Sequence, residues 1–92
     1  MNMKEFRDEI DTIDSEIIRL LKDRFSAVKR IAKYKRKNGL PIRDLKREKE
    51  VMQKAAKKAK EQGIKEINEI KKIFEEIVAS CRKIQRDKEK SA

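Results

Sequence analysis

Residues 3–36 read MKEFRDEIDTIDSEIIRLLKDRFSAVKRIAKYKR, and the spacing of their apolar side chains decides the fold. Phe6, Ile10, Ile13, Ile17 and Leu20 recur at alternating intervals of three and four residues. Ala27, Val28 and Ile31 continue the series. Such spacing is one face of an α-helix. The stretch contains neither Gly nor Pro, so nothing interrupts it. Arg24 and Lys35 occupy positions on this apolar stripe, and Arg7 lies beside its start. At about 100° per residue, Arg24 and Lys35 point within about 20° of each other. A buried cation without a partner is costly. These positions therefore require an anion, from the chain or from a ligand.

Working outward, Asn38-Gly39-Leu40-Pro41 is the clearest break. Gly39 suits a left-handed helix C-terminus, and Pro41 forbids simple continuation. Asp44 then serves as the N-cap of a second helix, expected at about 44–61. Its stripe is Leu45, Glu48, Met52, Ala55 and Ala59, flanked by Val51 and Ala56. Gly63 ends it. A third helix is expected at about 66–87, with Ile67, Ile70, Phe74, Ile77, Cys81 and Ile84 on one face. Ile73, Val78 and Gln85 flank that face. Residues 88–92 are expected to fray. The chain reads as a single all-α domain over 1–92, a long first helix followed by two shorter ones.

Charged residues make up 48% of the chain and hydrophobic ones 37%. Such a balance could signal disorder, but the strong periodicity rejects that reading for all but the ends. No apolar run approaches the roughly 20 residues that span a membrane. The opening Met1-Asn2-Met3-Lys4-Glu5 has no apolar signal-peptide core. The lone cysteine, Cys81, has no partner for an intrachain disulfide, which fits a reducing cytoplasm. There is no histidine, which excludes histidine catalysis and a Cys/His zinc site. The net charge of +10 suits nucleic acid, an anionic membrane surface or a small acidic substrate. It also suits a solvated Lys/Glu surface, and the run Lys54, Lys57, Lys58, Lys60 reads that way. A solvated surface does not explain cations on an apolar stripe.

The length of the first helix predicts an oligomer. It spans about 50 Å. A compact domain of this size has a radius of gyration near 12 Å, hence a diameter of roughly 32 Å. The helix must project from its own domain with its apolar stripe uncovered. Pairing with a second copy covers it, and an isologous homodimer is the commonest arrangement.

Each helix also sets polar groups into its buried face. The first supplies Arg24 and Lys35, the second Glu48 with Arg47 beside it, the third Cys81 and Gln85 one turn apart. Helical bundles build ligand sites in this way. Two or three cations, a carboxylate and an amide suit a polyanion that also offers a hydroxyl donor. Taken singly, each residue has a blander reading: a snorkelling Arg24, a Glu48 paired to Lys35 or Arg24, a packed Cys81. Their joint occurrence on three helices favours a site.

The segment Leu40-Pro41-Ile42-Arg43-Asp44-Leu45-Lys46-Arg47-Glu48 resembles the P-I/V-x-D-x-x-R-E stretch of the all-helical chorismate mutases. Phe6 to Asp14 is similar to that family's L-R-x-x-I-D-x-I/L-D start, and Ile17 to Arg24 resembles its L-L-x-x-R continuation. The resemblance covers nearly the whole chain and, given its length, implies a stand-alone mutase. It implies an intertwined helical homodimer with shared active sites, no cofactor and no metal. It also implies roles. Arg24, with Arg7 of the other subunit, holds the two carboxylates of chorismate, and Arg47 supports the same end. Lys35 and Gln85 donate to the ether oxygen. Glu48, with Asp44 near it, accepts from the ring hydroxyl. Cys81 stands where many members have Ser. The implied reaction is the Claisen rearrangement of chorismate to prephenate, on the route to phenylalanine and tyrosine.

Three rivals remain. An isochorismate-pyruvate lyase shares the fold and much of the cationic site, though Asp44, Arg47 and Glu48 favour the mutase. A basic nucleic-acid-binding protein should carry a contiguous Lys/Arg face with aromatic residues. Here acids interrupt the bases on all three helices, and aromatics make up 4% of the chain. A coiled-coil scaffold explains the stripes but not the polar groups set into them.

Overall fold

The computed structural model describes residues 1–90, with side chains described through residue 87. The chain forms α1 (Met3–Lys37), α2 (Leu45–Glu61) and α3 (Ile67–Lys90), with no strand among the described residues. These bounds match the expected helices to within one residue, except that α3 continues to Lys90. The frayed tail expected at 88–92 otherwise lies outside the described residues.

Local chemistry explains each boundary. Asn2 caps α1, its side chain accepting from the Glu5 N–H at 2.9 Å. Asp44 caps α2, with Oδ1 accepting from the Arg47 N–H at 3.0 Å. Both side chains satisfy a backbone donor that the first helical turn leaves free. Gly39 (φ 65°) and Gly63 (φ 77°) follow the C-terminal ends of α1 and α2. After α1, Leu40 N–H reaches Lys35 O at 2.8 Å and Gly39 N–H reaches Arg36 O at 3.4 Å. After α2, Ile64 N–H reaches Ala59 O at 2.9 Å and Gly63 N–H reaches Lys60 O at 3.0 Å. This paired pattern is the Schellman motif, and its left-handed residue favours glycine.

The tertiary framework has α3 at its centre. It packs against α1 and against α2, whereas no Cα of α1 lies within 8 Å of one in α2. The two outer helices therefore leave a cleft between them with α3 behind it. The buried apolar residues are Val28 and Ala32 on α1, Ala55 and Ala59 on α2, and Cys81 on α3. Small side chains at these points let the helices approach closely, but the core they form is thin. Leu45, expected on the inner stripe of α2, is instead 67% exposed. It occupies the first position of α2, at the end of the helix. The lysine run on α2 is exposed, as expected.

The first twenty residues are all exposed. Phe6, Ile10, Ile13, Ile17 and Leu20 lie open along α1, each about half accessible. The chain measures 54 × 26 × 16 Å, with a radius of gyration of 16.3 Å. A compact chain of this size should have about 12 Å. Among the described residues, no helix is long and apolar enough to cross a membrane.

A Cβ at Gly63 would meet nothing within 4 Å, so substitution there meets only the conformational cost of positive φ. Gly63→Ala should lower stability by about 1–2 kcal/mol. Gly63→Asn should lose less, because Asn visits the left-handed region more readily. Urea unfolding of both variants against the parent checks this ranking.

Candidate active site

The cleft between α1 and α2 has a volume of about 370 Å³, within the usual range for small-molecule sites. Arg24, Lys35, Asp44, Arg47, Glu48, Cys81 and Gln85 all line it. Seven of the eight residues singled out from the sequence thus converge, although they come from three helices and one loop. Helical periodicity explains the α1 share. Val28 and Ala32 seat α1 on α3, and Arg24, Ile31 and Lys35 stand about one turn away, towards the cleft.

Lys35 is the most engaged of them. Its Nζ donates to Ile42 O at 2.6 Å and to Gln85 Oε1 at 3.0 Å. An ammonium has three donors, so one proton remains for the cleft. Because Gln85 accepts through Oε1, its Nε2 is the part of the amide left to donate. The pair thus offers two donors from neighbouring points, one charged and one neutral. On the same side, Arg24 Nη1 donates to Cys81 Sγ at 2.9 Å. That contact uses one of five guanidinium donors and leaves the others for a carboxylate. Cys81, only 4% exposed, is a packed residue that also fixes the angle of Arg24.

The opposite wall belongs to α2. Glu48 pairs with neither Lys35 nor Arg24. Arg82 Nη1 donates to both of its carboxylate oxygens, at 3.0 and 3.1 Å. Arg43 Nε stands 3.5 Å from Oε2. Asp44 uses Oδ1 as the cap of α2, which leaves Oδ2 as its second acceptor. Arg47 lies at the rim, half exposed, with Nη1 3.6 Å from Glu50 Oε2. An exposed pair of this kind contributes little and can be broken by a ligand at low cost.

Arg7 is the exception. It does not line the cleft. Seventeen residues separate it from Arg24 along α1, about 26 Å of helix. Within one chain it stands apart from the other seven. Sequence reasoning in turn missed Arg82 and the carbonyl of Ile42. Arg82 follows Cys81 and lies one turn after Val78 on the flank of the α3 stripe, a spacing that could have found it. The Ile42 carbonyl is backbone, and no side-chain pattern signals it.

The ensemble is cationic: Arg24, Lys35, Arg47 and Arg82 against Glu48 and Asp44. It can bind an anion, donate hydrogen bonds from Lys35 and Gln85, and accept one at Glu48.

A chorismate mutase from Methanocaldococcus jannaschii is 34% identical over 84 residues, covering 91% of this chain and 84% of that protein. A bifunctional chorismate mutase/prephenate dehydratase from Aquifex aeolicus is 38% identical over 86 residues, 91% of this chain but 24% of that protein. One of the same description from Buchnera aphidicola is 40% identical over 82 residues, 86% of this chain and 21% of that protein. The chain thus spans about a quarter of the length of these bifunctional relatives. No solved structure matches it significantly. The family description chorismate mutase type II matches residues 6–86, a stretch that takes in most of α1, all of α2 and α3 through Arg86, and the chain belongs to that family.

Proposed function

We propose that the chain catalyses the rearrangement of chorismate to prephenate, in a homodimer whose sites are shared between subunits. The observation that carries this reading is the Lys35–Gln85 hydrogen bond on the wall of a cleft that also holds Arg24 and Glu48. Chorismate is a dianion with a ring hydroxyl. It needs cations for its carboxylates and an acceptor for the hydroxyl, and the cleft supplies both.

The reaction is a unimolecular pericyclic step. One C–O bond of the enolpyruvyl ether breaks as a C–C bond forms across the ring, and no proton changes hands. Catalysis then has two tasks. The first is to hold the flexible side chain over the ring in a near-attack geometry. Arg24 from the α1 wall and Arg47 from the rim of the α2 wall hold the carboxylates, and Arg7 of the partner subunit completes the grip. The second is to stabilise the negative charge that grows on the ether oxygen as the C–O bond stretches. The free proton of Lys35 and the Nε2 of Gln85 do this. Both are preorganised by their mutual hydrogen bond, so little reorganisation is needed at the transition state. Glu48, with Asp44 near it, accepts from the ring hydroxyl and sets the register of the ring.

The dimer follows from α1. The exposed row Phe6, Ile10, Ile13, Ile17, Leu20 needs cover, and a second α1 with the same row is self-complementary. Intertwining also brings the distant Arg7 to a cleft, which a single chain does not. A reducing cytoplasm suits the free Cys81.

Incubation with chorismate, followed by ultraviolet absorbance and product identification, tests the activity. Prephenate is the expected product, and Lys35→Ala should lower kcat by at least the ~10²–10³ typical of a lost preorganised donor. Isochorismate offered in the same assay should give no pyruvate; preferential cleavage would favour the lyase instead. Gln85→Glu should be weakly active at neutral pH and recover as the pH falls, because a carboxylate cannot donate and a carboxylic acid can. A pH–rate profile against the parent reads this directly. Mixing inactive Arg7→Ala and Lys35→Ala chains should restore activity, since one site of the mixed dimer keeps both residues. No recovery after demonstrated subunit exchange would exclude a shared site.

A further inference from the structure

The substrate contacts proposed above leave one cation of the cleft without a task. Arg82 is on α3 and Glu48 on α2, and a single nitrogen, Nη1, bridges both carboxylate oxygens at 3.0 and 3.1 Å. Their side chains are 20% and 23% exposed, so most of each partner is shielded from water. The other cation near this carboxylate, Arg43, is 58% exposed and 3.5 Å away. Arg82 also lines the main cleft and a smaller one behind Glu48, beside Met52, Glu75 and Val78. Glu48 and Val78 line both clefts with it.

We infer that Arg82 is a positioning residue: by bridging the carboxylate of Glu48 it sets which acceptor site faces the substrate, and so enforces selection for a ring hydroxyl. This rests on the reading of Glu48 as the hydroxyl acceptor. A carboxylate offers about four lone-pair sites. Arg82 engages one on each oxygen, and Arg43 approaches Oε2. Oε1 therefore retains the unengaged acceptor. Without Arg82, Glu48 keeps only a solvent-exposed partner, and its carboxylate can turn into the smaller cleft or towards Arg43. A misplaced acceptor penalises a substrate with a hydroxyl to donate, and leaves one without it unaffected.

The test compares the parent with Arg82→Met, Arg82→Lys and Glu48→Gln, on chorismate and on an analogue lacking the ring hydroxyl. Arg82→Met keeps most of the apolar stem, and circular dichroism checks that each variant is helical. Arg82→Met should lose up to about 10²-fold in kcat/KM on chorismate, the scale of a small misplacement in a site. It should match the parent on the analogue. Arg82→Lys should recover part of the loss, since one ammonium can donate to both oxygens. In the Glu48→Gln background, Arg82→Met should cost little more, because its effect passes through Glu48. Equal losses on both substrates, or additive losses in the double variant, would reduce Arg82 to a tie between α2 and α3 and overturn the inference. So would an unchanged Arg82→Met. A folded parent inactive on chorismate would remove the mutase reading and this inference with it; an active parent with an indifferent Arg82→Met removes the inference alone.

Discussion

One ammonium group joins the three parts of the chain that make the cleft. Lys35 stands near the end of α1, its Nζ holds the carbonyl of Ile42 in the loop before α2, and it holds the amide of Gln85 on α3. This matters because α1 and α2 do not touch through their backbones. Packing on α3 sets how far apart they stand, and packing by small side chains is tolerant of sliding. The directed bonds of Lys35 are not. They fix the loop that carries Arg43 and Asp44, and with it the start of α2 where Arg47 and Glu48 sit. A charge-assisted hydrogen bond is shorter and stronger than a neutral one.

The same economy recurs across the site. Three polar groups that face the cleft are each held by another that also faces it: Arg24 by Cys81, Lys35 by Gln85, Glu48 by Arg82. In every pair one partner belongs to α3. The central helix is thus both the floor of the fold and the scaffold for the groups that face a ligand. Such an arrangement keeps side chains in place in a site that has little buried core around it. The cost is a cleft with excess positive charge, which an anionic ligand offsets.

Much of this was legible in the sequence because its signals are local. Gly39, Pro41, Asp44 and Gly63 mark the helix ends through backbone geometry that depends on neighbours a few residues away. The stripe of α1 identified Arg24 and Lys35 as cations out of place, and the cleft accounts for both. Leu45 was misjudged because periodicity alone does not reveal that the end of a helix overhangs its neighbours. Arg82 was missed for a related reason. It lies beside the stripe, and its role depends on Glu48, thirty-four residues earlier in the chain. Pairing over that distance is a property of how helices cross, which no spacing rule reports.

By itself, then, the sequence determined the three helices, where they stop, the apolar stripe each one carries and the residues on those stripes that are chemically out of place. Hydrophobic periodicity and capping are short-range, so one chain written out in order contains them. Only the tertiary structure decided which donor meets which acceptor: that Glu48 turns to Arg82 and not to Lys35, and that Gln85 accepts through its oxygen from Lys35. Those outcomes depend on how helices remote in sequence are placed against one another. They are set by how side chains of particular sizes let α1 and α2 settle on α3.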